Sequence, residues 1–140
     1  MKAQNVSRSQ LMQNPYLSIF HEPDAALVIL VWSEETAHMK DTDFKEGLTK
    51  TAEYTEQYKP HGLLVNVENF KFGAAMGPDL SKWRIETIVP RYNRAGLKKF
   101  AFVHDSGFPE KSGDGEKTSA EQFFTKHFAS EEHAREWASS

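Results

Sequence analysis

The sequence predicts a single α/β domain on a mixed sheet of four to five strands, and three observations support that fold class. Short runs of branched and aromatic residues, at 25–32, 62–67 and 97–103, have the length and composition of buried strands. Between them lie longer segments whose apolar residues recur at helical spacing, so strand and helix alternate as in parallel βαβ crossovers. Ahead of them, Tyr16-Leu17-Ser18-Ile19-Phe20 and the turn chemistry of His21-Glu22-Pro23-Asp24 predict an antiparallel hairpin at the start of the sheet.

Residues 1–14 are polar and broken by Asn14-Pro15, which predicts a flexible N-terminal arm with at most a short helix near Leu11-Met12, leaving 15–140 as the domain. The hairpin occupies Tyr16 to Trp32. From Asp41 to Tyr58, Phe44, Leu48, Ala52, Thr55 and Tyr58 fall on one helical face, with Asp41 or Thr42 placed to cap the start. Gly47 inside this helix costs about 1 kcal/mol relative to Ala, which packing must offset. Pro60 and Gly62 end the helix, and Gly62-Leu63-Leu64-Val65-Asn66-Val67 then reads as the central strand. A loop of small residues, Gly73 to Gly77, leads into a second helix opened by Pro78-Asp79. Leu80, Trp83, Thr87 and Ile88 share a face of that helix, Pro90 kinks it and Gly96 closes it. Phe100-Ala101-Phe102-Val103 forms the next strand, 109–117 a surface loop, and 119–124 one or two helical turns. Lys126-His127-Phe128 is a short edge strand, and Ser130 caps a last helix through Trp137, with Glu131 and Glu132 in its first turn. The crossovers point the carboxyl ends of the parallel strands, with Trp32, Asn66, Glu68 and His104, toward one crevice.

Composition narrows the function classes. The 17 basic and 20 acidic side chains are spread along all 140 residues, which leaves no footprint for nucleic acid. No cysteine is present, so a disulfide framework or thiolate metal site is excluded. The opening residues lack the apolar core of a signal peptide and the longest apolar run, 25–32, is too short to span a bilayer, so the expectation is a soluble, cytoplasmic protein without a membrane span.

Specific chemistries fit poorly. His104, Asp105 and Ser106 supply the residue types of a hydrolase triad, but sequence neighbours cannot adopt its geometry, and no Gly-x-Ser-x-Gly elbow exists. The six histidines never stand at the i, i+4 spacing of a helical metal pair. Gly73-x-x-x-Gly77 lacks a following Gly-Lys-Ser/Thr, and Asp79 puts a carboxylate where a phosphate would sit. Glu34, Glu35, Glu68 and Asp79 read as solvated acids at the crevice mouth. No catalytic residue, metal or cofactor is therefore expected. Aromatics are the stronger signal: Trp32, Phe70, Phe72 and Trp83 gather around the central strand exit, where Trp83 reads as core and Phe70-Lys71-Phe72 reads equally as a partly exposed recognition loop or as simple packing.

The order of elements, together with Gly62-Leu63-Leu64-Val65-Asn66-Val67, Trp83 followed by Pro90, the stretch 95–103 and the closing Phe128-Ala129-Ser130-Glu131-Glu132-His133-Ala134-Arg135-Glu136-Trp137, resembles the SpoIIAA-like branch of the STAS domains. The likeness covers nearly everything after residue 15. It implies a small sheet backed by helices and used for protein recognition in regulation. The phosphorylated serine of the anti-sigma antagonists has no counterpart here: the matching stretch reads Asn66-Val67-Glu68, the helix start reads Gly77-Pro78-Asp79-Leu80-Ser81, and Ser81 is expected to face solvent. The branch is also similar to the CRAL-TRIO lipid-binding fold. Two expectations result. The first is a non-enzymatic regulatory module that binds an unidentified protein partner, or a second copy as a homodimer, through Phe70, Lys71, Phe72 and the helix opened by Asp79. The alternative is a protein that holds a small apolar ligand or lipid between the sheet and the Trp83 helix.

Overall fold

The computed structural model describes residues 8–72 and 78–140. Along the chain run β1 (Ser9–Gln13), β2 (Leu17–Glu22), β3 (Leu27–Trp32), α1 (Asp41–Tyr58), β4 (Gly62–Asn66), α2 (Pro78–Trp83), α3 (Val89–Ala95), β5 (Lys99–Val103), β6 (Phe124–Phe128) and α4 (Glu131–Ala138). The six strands form one sheet in sequence order. β1, β2 and β3 pair antiparallel, and β3 to β6 pair parallel.

The α/β class and the N-terminal antiparallel hairpin agree with the sequence, whereas the sheet has six strands rather than four or five. The additional strand is β1. Residues 9–13, expected in a flexible arm with a helical turn near Leu11-Met12, instead pair with 18–21, and a register shift between Gln10 and Met12 marks an irregularity. Alternation on an exposed edge is weak in the sequence, so only the waiting edge of β2 reveals this strand. The one or two helical turns expected within 119–124 are also absent: the Glu121 N–H bonds the Thr118 carbonyl at 3.1 Å in a single turn, and β6 begins at Phe124.

Strand order and handedness place the layers. The crossovers from β3 to β4 and from β4 to β5 advance in one direction across the sheet. Right-handed connections then put α1 and the helix from Pro78 to Ala95 on the same face. That face holds the larger core, with Val28, Leu30, Leu63, Val65 and Phe100 beneath Phe44, Leu48, Ile88 and Tyr92. The opposite face is covered by α4, whose Ala134 and Ala138 meet Leu27, Ile29, Leu64 and Ala101. β3 and β4 are buried on both faces, which is why they read as continuous apolar runs.

Local chemistry sets the helices. α1 is preceded by Lys40, not capped by Asp41 or Thr42: the Asp43 carboxylate accepts the Lys40 backbone N–H at 3.0 Å. Gly47 is explained by proximity, since a Cβ there would lie 2.6 Å from Leu17 Cδ2 and 3.1 Å from the Trp32 ring. Its propensity cost is the cost of bringing α1 close to the sheet. Arg91 grips Glu56 through bonds of 2.9 and 2.6 Å, tying α3 to α1, and the guanidinium holds the Glu56 carboxyl below its usual range. Pro90 cannot donate to the residue four positions earlier, and the helix answers with a π turn at Arg84–Ile88, in which the Val89 N–H reaches the Arg84 carbonyl. Ser130 caps α4, its hydroxyl accepting the His133 N–H.

Candidate functional site

Alternating residues of the parallel strands line up in rows on the α1 face. Val28, Leu63 and Phe100 are in register in one row, and Leu30, Val65 and Phe102 in the next. Trp32 and Val67 continue the rows toward the carboxyl ends. Between these rows and the helices is a cavity of about 290 Å³. Its floor is formed by Leu30, Trp32, Val65, Val67, Phe100 and Phe102; α1 contributes Phe44 and Leu48, and the loop after β4 contributes Phe70. The rest of the wall is Ser81, Arg84 and Tyr92 from the helix opened by Pro78. Aromatic rings dominate it: Trp32 lies 5.1 Å from Phe70 and 5.9 Å from Phe44, and Phe44 stacks on Phe72 at 5.5 Å.

The π turn sets which helical residues reach this wall. Leu80, Arg84, Ile88 and Tyr92 are spaced by four, a period that drifts off one face of a regular helix. The wider turn takes up the drift, so Leu80, Ile88 and Tyr92 are all buried while Thr87 is exposed. The sequence stripe of Leu80, Trp83, Thr87 and Ile88 therefore holds at its ends and not at Thr87. Trp83 is half-buried against the core, with Lys45 Nζ 5.5 Å from its ring, and does not line the cavity.

The other sequence candidates separate into three places. Trp32 and Phe70 meet at the cavity, while Phe72 is 4% exposed and belongs to the core, so Phe70-Lys71-Phe72 is not a displayed aromatic pair. Only Lys71 of the three faces solvent; its backbone N–H bonds to Thr36 Oγ1 at 2.7 Å. Asn66 and Glu68 end β4 locally: Asn66 Oδ1 accepts the Glu68 N–H at 2.9 Å and Asn66 Nδ2 donates to the Glu68 carboxylate at 3.2 Å. That is turn chemistry, and it satisfies the amide that stood out in the central strand.

His104 lies at the third place, across β5 and β6. Its Nε2 is 2.8 Å from His127 Nδ1, its ring stacks on Phe108 at 4.0 Å, and His127 stacks on Phe102 at 4.9 Å. Burial, and then the neighbouring imidazole, push His104 down from the ordinary histidine value; burial also lowers His127, against the pull of Glu116. Among the described residues no cluster of three or more His, Asp or Glu could hold a metal. A second hollow, of about 390 Å³, lies between the 108–116 loop and β6. Its wall is largely exposed loop, with Lys111, Asp114 and Glu116 turned to water and Lys126 already bonded to the Gly113 carbonyl at 2.7 Å. The Gly73 to Gly77 stretch, weighed from sequence as a phosphate loop, lies outside the described residues.

Sequence reasoning missed Arg84, Tyr92 and Phe102 as wall residues. Their signal was the four-residue spacing and the alternation with Phe100, but the π turn that makes the spacing count is a response to Pro90 that periodicity does not display. Among the described residues no helix is long and apolar enough to cross a membrane. Comparison of the chain with protein-family models, with curated proteins and with solved structures finds no match.

Proposed function

We propose that this protein is a non-enzymatic binding module that takes a small, largely apolar ligand into the cavity between the sheet and the α1 and Pro78–Ala95 helices. The observation that carries this reading is the cavity wall itself. Some 290 Å³ of space, partly open to solvent, faces Trp32, Phe44, Phe70 and Phe102 at the edge of the larger core. Small-ligand sites are concave and mainly apolar, with a few polar groups for orientation, and typically begin at about 300 Å³.

The regulatory reading implied by the STAS resemblance, with a protein partner or a homodimer at Phe70 to Phe72, has less to stand on. Phe72 is buried, and Phe70 is engaged with Trp32 and Phe44. The large apolar residues that are exposed among the described ones, Ile85 and Phe124, are isolated.

An environment-sensitive naphthylamine dye, together with native mass spectrometry of the purified protein, tests the proposal. The wild type is expected to bind the dye. Leu48→Phe, which pushes an aromatic ring into the cavity from α1, should weaken that binding by about tenfold or more while the protein still melts cooperatively. Dye binding that is absent in the wild type, or undiminished in a folded Leu48→Phe protein, would overturn it.

A further inference from the structure

We infer that the ligand is an amphiphile with a carboxylate head, which Arg84 and Tyr92 hold at the helix side of the cavity while the apolar part lies against Trp32, Phe44 and Phe102. This rests on the proposed ligand-binding function and adds the chemistry of the head. Among the described residues three polar side chains line the cavity, Ser81, Arg84 and Tyr92, and all come from one helix. Neither Asp nor Glu is among the described wall residues, so their polar stripe carries net positive charge.

Arg84 is half-buried, its guanidinium 5.4 Å above the Phe100 ring, and among the described residues no carboxylate lies within ion-pair distance of it. The other arginines at inter-element contacts behave differently. Arg91 is matched to Glu56, and Arg8 and Arg135 to Glu22. A guanidinium stacked on an aromatic floor keeps its planar donors for a ligand beside it.

Tyr92 adds a second donor. It is 1% exposed and lines the same cavity two turns further along the same helix, so its hydroxyl belongs to the wall that carries Arg84. Burial pushes the phenol up to about 12, against the opposing charge of Arg84, so the hydroxyl stays protonated and can donate at neutral pH. A guanidinium and a neutral phenol are both pure donors toward a carboxylate, and neither suits a ligand whose head is cationic. Among the described wall residues Arg84 is the single basic side chain, which favours a singly charged head over a phosphate.

Two matched pairs of probes test the inference by calorimetric titration of the full chain: decanoate against decanol, and phenylpropionate against phenylpropanol. In at least one pair the acid is expected to bind more tightly than its alcohol. Arg84→Gln should cost the acid roughly tenfold or more and leave the alcohol within about twofold, Arg84→Lys should recover part of the loss, and Tyr92→Phe should cost the acid several-fold. Alcohols that bind as well as the acids, or an Arg84→Gln loss equal for both, would refute the carboxylate head while leaving an apolar cavity site intact. If no probe binds and the naphthylamine dye does not bind either, the cavity reading fails with it.

Discussion

Glu22 gives the sharpest stability prediction, because the sequence offers it as a turn residue and the structure buries it completely. Its side chain has no exposed surface, and both oxygens are occupied. Arg8 Nε donates to Oε2 at 2.7 Å, Arg135 donates to Oε1 at 2.7 Å and to Oε2 at 3.1 Å, and Glu131 stands 3.5 Å from both guanidinium groups. One carboxylate thus joins the chain just before β1 to α4 across the end of β2. Glu22→Ala removes three charge-assisted bonds and leaves two guanidiniums facing a void. Breaking a buried pair costs roughly 3–5 kcal/mol when the surviving charge stays dry. Here Arg8 and Arg135 are 31% and 23% exposed and keep Glu131 beside them, so partial rehydration sets the cost at the lower end, about 3 kcal/mol. For a domain of this size that lowers the melting midpoint by about 10 °C. Urea unfolding should show a lower midpoint at unchanged slope, and Arg8→Ala should add little in the Glu22→Ala background because both act through one network. A Glu22→Ala protein within about 1 kcal/mol of wild type would refute the idea that this carboxylate clamps the two ends of the chain.

Gly62→Ala is expected to destabilise by about 2 kcal/mol in chemical unfolding, since the new Cβ would run into the Ala138 backbone carbonyl and 2.9 Å from Leu27 Cδ2, and a backbone atom cannot rotate away. The His104 and His127 pair gives a pH dependence with a definite sign. Both fold with depressed pKa values, so the unfolded chain takes up protons first; stability is complete above the ordinary value of 6.5 and falls as the pH drops through it toward the folded values. Thermal melts between neutral and mildly acid pH should show this slope flattened in His127→Asn, and an equal slope in both proteins would count against the pair as its source.

The candidate site was only partly legible before the structure. Trp32 and Phe70 were singled out as aromatics near a strand exit, and they do meet at the cavity. Asn66 and Glu68 drew attention because polar residues interrupted an apolar strand, yet their bonds are to each other and serve a turn. Alternation within a strand reports which residues share a face; it does not report whether a polar side chain bonds its neighbour or a ligand. Phe72 and Phe70 stand two apart in a short loop and look equivalent in sequence. Phe44 packs against both, but only Phe70 lines the cavity.

The sequence by itself determined the alternation of strands and helices, the hairpin at the start, the close of α1 at Pro60 and the Ser130 cap. These depend on φ restriction, side-chain branching and hydrogen bonds a few residues long, all local to the chain. Tertiary structure alone decided the rest: that residues 9–13 complete an edge, that Gly47 is needed under Leu17 and Trp32, that Leu80, Ile88 and Tyr92 are all covered, and that Arg84 and Tyr92 come to one wall with Phe102. Each of these depends on which surface arrives from a distant part of the chain, and a spacing of four residues acquires meaning only once the sheet lies beneath it.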